Sequence, residues 1–242
     1  MGQYFDVAYM VKSFPILLTS LNITLTITIV ATILGILLGC LIAIARVNRV
    51  PVLKQALTVY VSFMRGTPFL VQLFLIYFGV PEILSHMGIS TRNVPGLLFV
   101  IVVFTLHIGA YSSEILRSSI QAVAQGEKEA AMSLGMTSFQ SYRRVILPQA
   151  FTMAIPPLIN SVIGMMKGTS LIFNVGVVDI MRRADLMGAN SQRSLELFVD
   201  VAIIYGLLVL IISLIGRFLE RRYTISERVA RHTTARAAAS KG

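Results

Sequence analysis

Residues 13–45 carry no charged side chain, a stretch well beyond the ~20 apolar residues that cross the hydrocarbon core of a bilayer. Four further charge-poor windows follow. Together they predict membrane-spanning helices over about 19–45, 57–80, 96–117, 148–171 and 198–216. The second window is interrupted near its start by Arg65, and the fifth begins near Asp200. An apolar run at 172–180 is too short to cross. The expected fold is an all-α integral membrane domain over 1–225, with a basic, mobile tail at 226–242. No internal repeat is visible.

Composition agrees with this pattern and adds a puzzle. The chain is 55% hydrophobic and only 13% charged, with mean hydropathy +0.78, in 242 residues; soluble domains carry about 25% charged residues. Its formal net charge is nonetheless +10. A nucleic-acid binder would leave the apolar windows without a home, so the charge is read as a topological signal. With the N-terminus outside, 14 of the 21 Lys and Arg fall on the cytoplasmic side, 5 on the other, and Arg65 and Lys167 lie within spans. That bias predicts an N-out, C-in, multi-pass protein, its basic loops facing anionic lipid headgroups. The single cysteine, Cys40, allows no disulfide within one chain. The N-terminus lacks the basic start and short apolar run of a cleaved signal.

The cytoplasmic segment 126–148 is long and not randomly polar. Glu129-Ala130-Ala131 favours helix, Met132 and Leu134 supply apolar contacts, and Gly135 supplies a stop at low steric cost. Thr137 or Ser138 can cap a second short helix carrying Phe139 and Tyr142, and Pro148 suits the first turn of the next span. The prediction is a helix, a glycine turn and a second helix on the cytoplasmic face. Such a shape fits either docking into a groove of another protein or resting on lipid headgroups.

The string Glu129-Ala130-Ala131, three residues, Gly135, nine residues, Val145-Ile146-Leu147-Pro148 resembles the EAA loop of ABC importer permeases. The family prefers Ile where this chain has Val145. Arg65-Gly66-Thr67-Pro68-Phe69-Leu70-Val71-Gln72, Tyr111 to Arg117, ILPQA and Lys167-Gly168-Thr169-Ser170-Leu171 resemble its polar-amino-acid branch. The resemblance implies a subunit of the bacterial inner membrane that pairs with a second, identical or homologous permease. It also implies two cytoplasmic ATPase subunits and an extracytoplasmic solute-binding protein. Glu129, Ala130, Ala131, Leu134 and Gly135 would form the coupling helix that passes nucleotide-driven closure to the spans.

The residues support that division of labour. No GxxxxGK[ST] phosphate loop is present, so ATP and Mg are expected in the partner ATPase and no cofactor in this chain. His86, His107 and His232 are too scattered for a metal site, and no nucleophile–base arrangement can be argued. The expectation is a transporter subunit, not an enzyme.

Polar groups at membrane depth are costly and commonly functional. Lys167 either snorkels to the outer interface or meets a substrate carboxylate, with Thr169 and Ser170 beside it. Gln72, Tyr111, Asn160 and Ser161 either bridge helices or line a solute path. Glu114 and Arg117 can pair three residues apart, as a structural contact or part of an inner gate, and Arg65 reads as an interfacial or gate contact. No carboxylate lies in mid-span, which favours a neutral, zwitterionic or cystine-like substrate over a cationic one. The outer segment 176–190 has apolar positions at helical spacing, with Arg182 and Arg183 available to a binding protein. The alternatives are a secondary carrier, which calls for internal symmetry or mid-membrane relays, and a membrane scaffold without an ATPase partner.

Overall fold

The long apolar helices follow from the need to satisfy backbone hydrogen bonds internally where no water can. A computed structural model describes residues 5–47 and 51–223. No strand occurs among them. The predicted tail at 226–242 lies outside the described residues, as does His232. The helices are α1 Val7–Leu18, α2 Leu21–Val47, α3 Pro51–Gly66, α4 Phe69–His86 and α5 Gly96–Ala122. They continue as α6 Gln125–Ser133, α7 Ser138–Ser141, α8 Leu147–Gly168, α9 Ile180–Ser191 and α10 Ser194–Tyr223. Among the described residues, five helical stretches are long and apolar enough to cross a membrane: Leu21–Arg46, Phe69–His86, Gly96–Ala122, Ser138–Val175 and Ser194–Tyr223.

The second predicted window, 57–80, is two helices rather than one. Pro68 has no N–H and disfavours helical geometry at Thr67, so α3 ends at Gly66 and α4 starts at Phe69. Arg65 therefore sits in the last turn of α3, outside the candidate span. The helix of the fifth predicted window, α10, starts at Ser194, ahead of the predicted 198, and both Asp200 and Glu196 near its start have partners. Glu196 accepts from the Asp6 backbone N–H at 3.0 Å and lies 3.6 Å from Arg193. Asp200 accepts from Ser13 Oγ at 2.8 Å. The apolar run after Lys167 is a 3₁₀ stretch, Thr169–Val175, continuing α8.

The chain divides into two compact units. In the larger, Met1–Glu114 with Ser161–Val209, the core gathers Ile27 and Ala31 of α2, Leu73 of α4, Val103, Phe104 and Ile108 of α5, and Ile172 of the 3₁₀ stretch. The opposite stripe of α2, Ile29, Ile33, Leu37, Leu41 and Ile44, is exposed and wholly apolar. In water that would be a liability; against lipid it is the expected surface. A small-residue seam lets α2 and α5 approach closely: a Cβ built at Gly35 would lie 2.5 Å from Ile108 Cγ2, and at Gly39 2.6 Å from Ser112 Cβ. Tyr60 Oη donates to the Leu106 carbonyl at 2.6 Å, tying α3 to α5.

The smaller unit, Ile115–Asn160 with Leu210–Gly242, has its own core of Val123, Ile146 and Ala150, packed by Ile120, Tyr142 and Met153. Residues Tyr142–Ile146 form a π turn, where the Leu147 N–H reaches back five residues to the Tyr142 carbonyl. Pro148, one residue later, cannot donate an N–H to the preceding turn.

Candidate coupling element and solute path

The α6–α7 region of the smaller unit is shaped by three local signals. Gly135 adopts φ +76°, a conformation glycine reaches without strain. Around it the Gly135 N–H donates to the Met132 carbonyl at 2.9 Å and the Met136 N–H to Ala131 at 3.2 Å, the paired bonds of a Schellman stop. Thr137 then caps α7 by a reciprocal box: its Oγ1 accepts from the Gln140 N–H at 3.3 Å, and Gln140 Oε1 accepts from the Thr137 N–H at 2.9 Å. Ala131 is buried, whereas Glu129 and Ala130 are exposed. Met132, Leu134 and Phe139 are 60%, 79% and 71% exposed. Among the described residues, the helix–glycine–helix device therefore presents an apolar surface that nothing covers.

In the larger unit, several candidate path residues form one connected group. Gln72 is buried at 1% exposure. Its Nε2 donates towards the Met64 carbonyl at 2.7 Å and towards the Thr67 carbonyl and Oγ1 at 2.9 Å each. Its Oε1 lies 2.9 Å from His107 Nδ1. His107 stacks at 4.7 Å on Tyr111, and the Arg65 guanidinium lies 5.7 Å from the Tyr111 ring centroid. Glu114 meets Arg46 at 3.1 Å and Arg65 at 3.9 Å. The sequence offers Glu114 and Arg117 as an i,i+3 pair; the structure brings Glu114 two arginines from other helices, and Arg117 donates to Gln121 at 2.6 Å. The Arg46 contact spans 68 residues of sequence, out of reach of helical periodicity.

Lys167, Thr169 and Ser170 separate by burial. Thr169 is fully buried; it donates to the Met166 carbonyl at 2.7 Å and shares a hydrogen bond with Tyr205 Oη at 3.0 Å. Lys167 and Ser170 instead line an open cavity of about 320 Å³ with Met181, Phe198 and Tyr205. Among the described residues no carboxylate lies within ion-pair distance of Lys167. Asn160 is an exposed residue of the smaller unit.

Behind this cavity stands Asp179, missed by the sequence reading as a buried group. It is fully buried, caps α9 through the Arg182 N–H at 2.8 Å, and lies 3.5 Å from Tyr205 Oη. Burial pushes its carboxyl up to about 6, against the opposing pull of its hydrogen bonds. The cap places the start of α9 at Ile180, later than the predicted 176. On α9, Arg182 pairs with Asp185 at 2.8 Å, and Arg183 Nε has no hydrogen-bond partner among the described residues. Also unanticipated was the tether of α1: Arg193 lies 2.8 Å from Asp6 and its guanidinium is 5.5 Å from the Tyr9 ring centroid. The signal was available, since Asp6, Arg193 and Glu196 flank otherwise apolar helices, but their pairing joins opposite ends of the chain.

Residues 35–225 match the family of binding-protein-dependent transport system inner membrane components. The chain belongs to that family. The permease is 40% identical over 216 residues to the probable amino-acid permease protein YxeN of Bacillus subtilis (strain 168), covering 89% of this chain and 95% of that one. It is 34% identical over 222 residues to the L-cystine transport system permease protein TcyL of the same organism, covering 92% and 93%. Among solved structures it resembles the crystal structure of an amino acid ABC transporter with histidines, with TM-score 0.82 and 35% identity over 91% of this chain and 100% of that one. The permease is thus the multi-pass, membrane-spanning subunit of an ABC importer, and ATP hydrolysis belongs to a separate subunit.

Proposed function

We propose that this permease carries a polar amino acid, neutral, zwitterionic or cystine-like, across the bacterial inner membrane by alternating access. The observation that carries the reading is the α6–Gly135–α7 device, whose Met132, Leu134 and Phe139 face outward from the chain. With the N-terminus out and the C-terminus in, Glu129, Ala130, Ala131, Leu134 and Gly135 lie in the cytoplasm and dock into an ATPase subunit. Two such ATPases, holding ATP and Mg, would serve two permease subunits, this chain and an identical or homologous copy. ATP-driven closure would draw the two coupling elements together and open the path outward, and hydrolysis would reset it.

On the outer side an extracytoplasmic binding protein delivers solute, meeting Arg182 and Arg183 through acidic side chains. The path runs past Lys167 and Ser170, whose ammonium and hydroxyl suit a substrate carboxylate, with Tyr111 as a further polar step. Thr169 supports it from a buried position beside Tyr205. Arg65 and Glu114, with Arg117 near by in sequence, form the inner gate. The amino-acid class is supported by the names of the relatives and by the absence of a mid-span carboxylate in the sequence.

The test is reconstitution of the permease with its ATPase and binding protein in liposomes, offered a panel of labelled amino acids. Uptake that requires both ATP and the binding protein, strongest for a neutral polar amino acid or cystine, is expected. Leu134→Asp should reduce co-purification of the ATPase at least ~10-fold, about 1.4 kcal/mol of lost docking, with thermal stability of the chain within about 0.5 kcal/mol. Uptake without ATP, or a fully assembled Leu134→Asp complex, would overturn the reading.

A further inference from the structure

The sequence leaves Gln72 between bridging helices and lining the path, and its geometry is that of a bridge. Pro68 stands four residues after Met64 and has no N–H, so the Met64 carbonyl loses its helical donor. Gln72 Nε2 takes that place at 2.7 Å, and the same nitrogen approaches both oxygens of Thr67. Two carbonyl oxygens around one amide terminus require it to be the NH₂, so the other terminus is the carbonyl oxygen. That oxygen only accepts, so His107 Nδ1, 2.9 Å away, carries the proton. A single buried side chain therefore closes the break between α3 and α4 and fastens it to α5.

Arg65 is the residue that this closure aims. It lies next to Met64 in the clamped turn, and its own hold is weak: the Glu114 contact is 3.9 Å, and the Arg65 side chain is 46% exposed. Its other support is the Tyr111 ring, which stacks on His107, the partner of Gln72. His107 is further confined by the Phe69 ring at 5.0 Å. Two routes, one through the α3 backbone and one through His107 and Tyr111, converge on the Arg65 guanidinium.

We infer that Gln72 is a positioning residue: it closes the Pro68 break and, through the α3 turn and the His107–Tyr111 stack, holds Arg65 against Glu114. This rests on the reading of Arg65 and Glu114 as the inner gate. A residue that merely satisfied an orphaned carbonyl would destabilise the helix end without acting through Arg65.

The experiment is a double-variant cycle in liposomes containing permease, ATPase and binding protein, scored as solute taken up per ATP hydrolysed. Arg65→Gln and Gln72→Leu are each expected to lower that ratio about 10-fold. The double variant should fall within about twofold of Arg65→Gln alone, because interacting residues do not lose independently. A double variant showing the product of the two losses, or Gln72→Leu at the wild-type ratio, would overturn the inference. Tyr111→Leu leaves the Met64 carbonyl satisfied and tests the second route if Gln72→Leu does not assemble. It too should lower the ratio and be non-additive with Arg65→Gln, and independent losses would sink the proposal. Failure of the wild-type assembly to couple uptake to ATP would instead refute the function reading on which the gate depends.

Discussion

Asp179 shows what a single residue can report. Its carboxyl titrates near 6 because burial disfavours the charge, above the usual 3.8. The folded protein therefore holds this proton more tightly than the unfolded chain does. The stability contribution is fully present below about 4 and is lost as pH rises through about 6. Asp179→Asn keeps an oxygen for the α9 cap but removes the titration. The purified permease complex should show an apparent Tm that declines between pH 4 and pH 6.5 relative to the variant's; parallel profiles would contradict this assignment. The sequence showed Asp179 only as one charge among several in 176–190, because its contact with Tyr205 comes from a helix 26 residues away. Glu114 tells the same story. Its i,i+3 neighbour Arg117 was legible, but Arg46 and Arg65 were not, since no local rule links them to it.

At the scale of elements, the sequence was most reliable where the determinants are local. The α6–Gly135–α7 device needed only a helix former, a glycine and a capping Thr, and all three act within a few residues. The outward orientation of Met132, Leu134 and Phe139 was not legible, because packing alone decides which apolar residues a chain covers. Gly66-Thr67-Pro68 can be read from the sequence as a local kink, and in the structure it is a full helix break. The Gly35–Gly39 seam was also readable in principle as two glycines four apart in an apolar helix. Its energetic weight comes from α5: a Cβ at Gly39 would sit 3.0 Å from the Gly109 carbonyl oxygen as well as against Ser112. Backbone cannot yield as a side-chain tip can. Gly39→Val is therefore expected to destabilise the fold by about 1–3 kcal/mol, read as a lower unfolding midpoint in detergent. Gly206→Ala, where nothing lies within 4 Å of the added Cβ, should change it by no more than about 0.5 kcal/mol.

For the whole molecule, the segregation of charge and oil makes the strongest statement. If the basic loops face the cytoplasm, Ser133→Cys in a Cys40→Ser background should react with a membrane-impermeant maleimide only after cells are opened. Thr91→Cys in the same background should react in intact cells. The reverse pattern would invert the topology and remove the α6–Gly135–α7 device from any cytoplasmic ATPase.

Fold class, the number of candidate spans and family membership were determined by the sequence alone, because bilayer thickness and backbone hydrogen bonding leave an apolar chain few options. Residue spacing located the α6–Gly135–α7 turn for a related reason: its determinants are local. Tertiary structure alone decided that Gln72 is buried at the break between α3 and α4, that Glu114 meets two arginines of other helices, and that Asp179 is buried beside Tyr205. Each of those outcomes depends on which helix faces come together. Hydrophobic periodicity is nearly silent on that point when lipid and core are equally apolar, and only the polar groups, by the partners they find, record it.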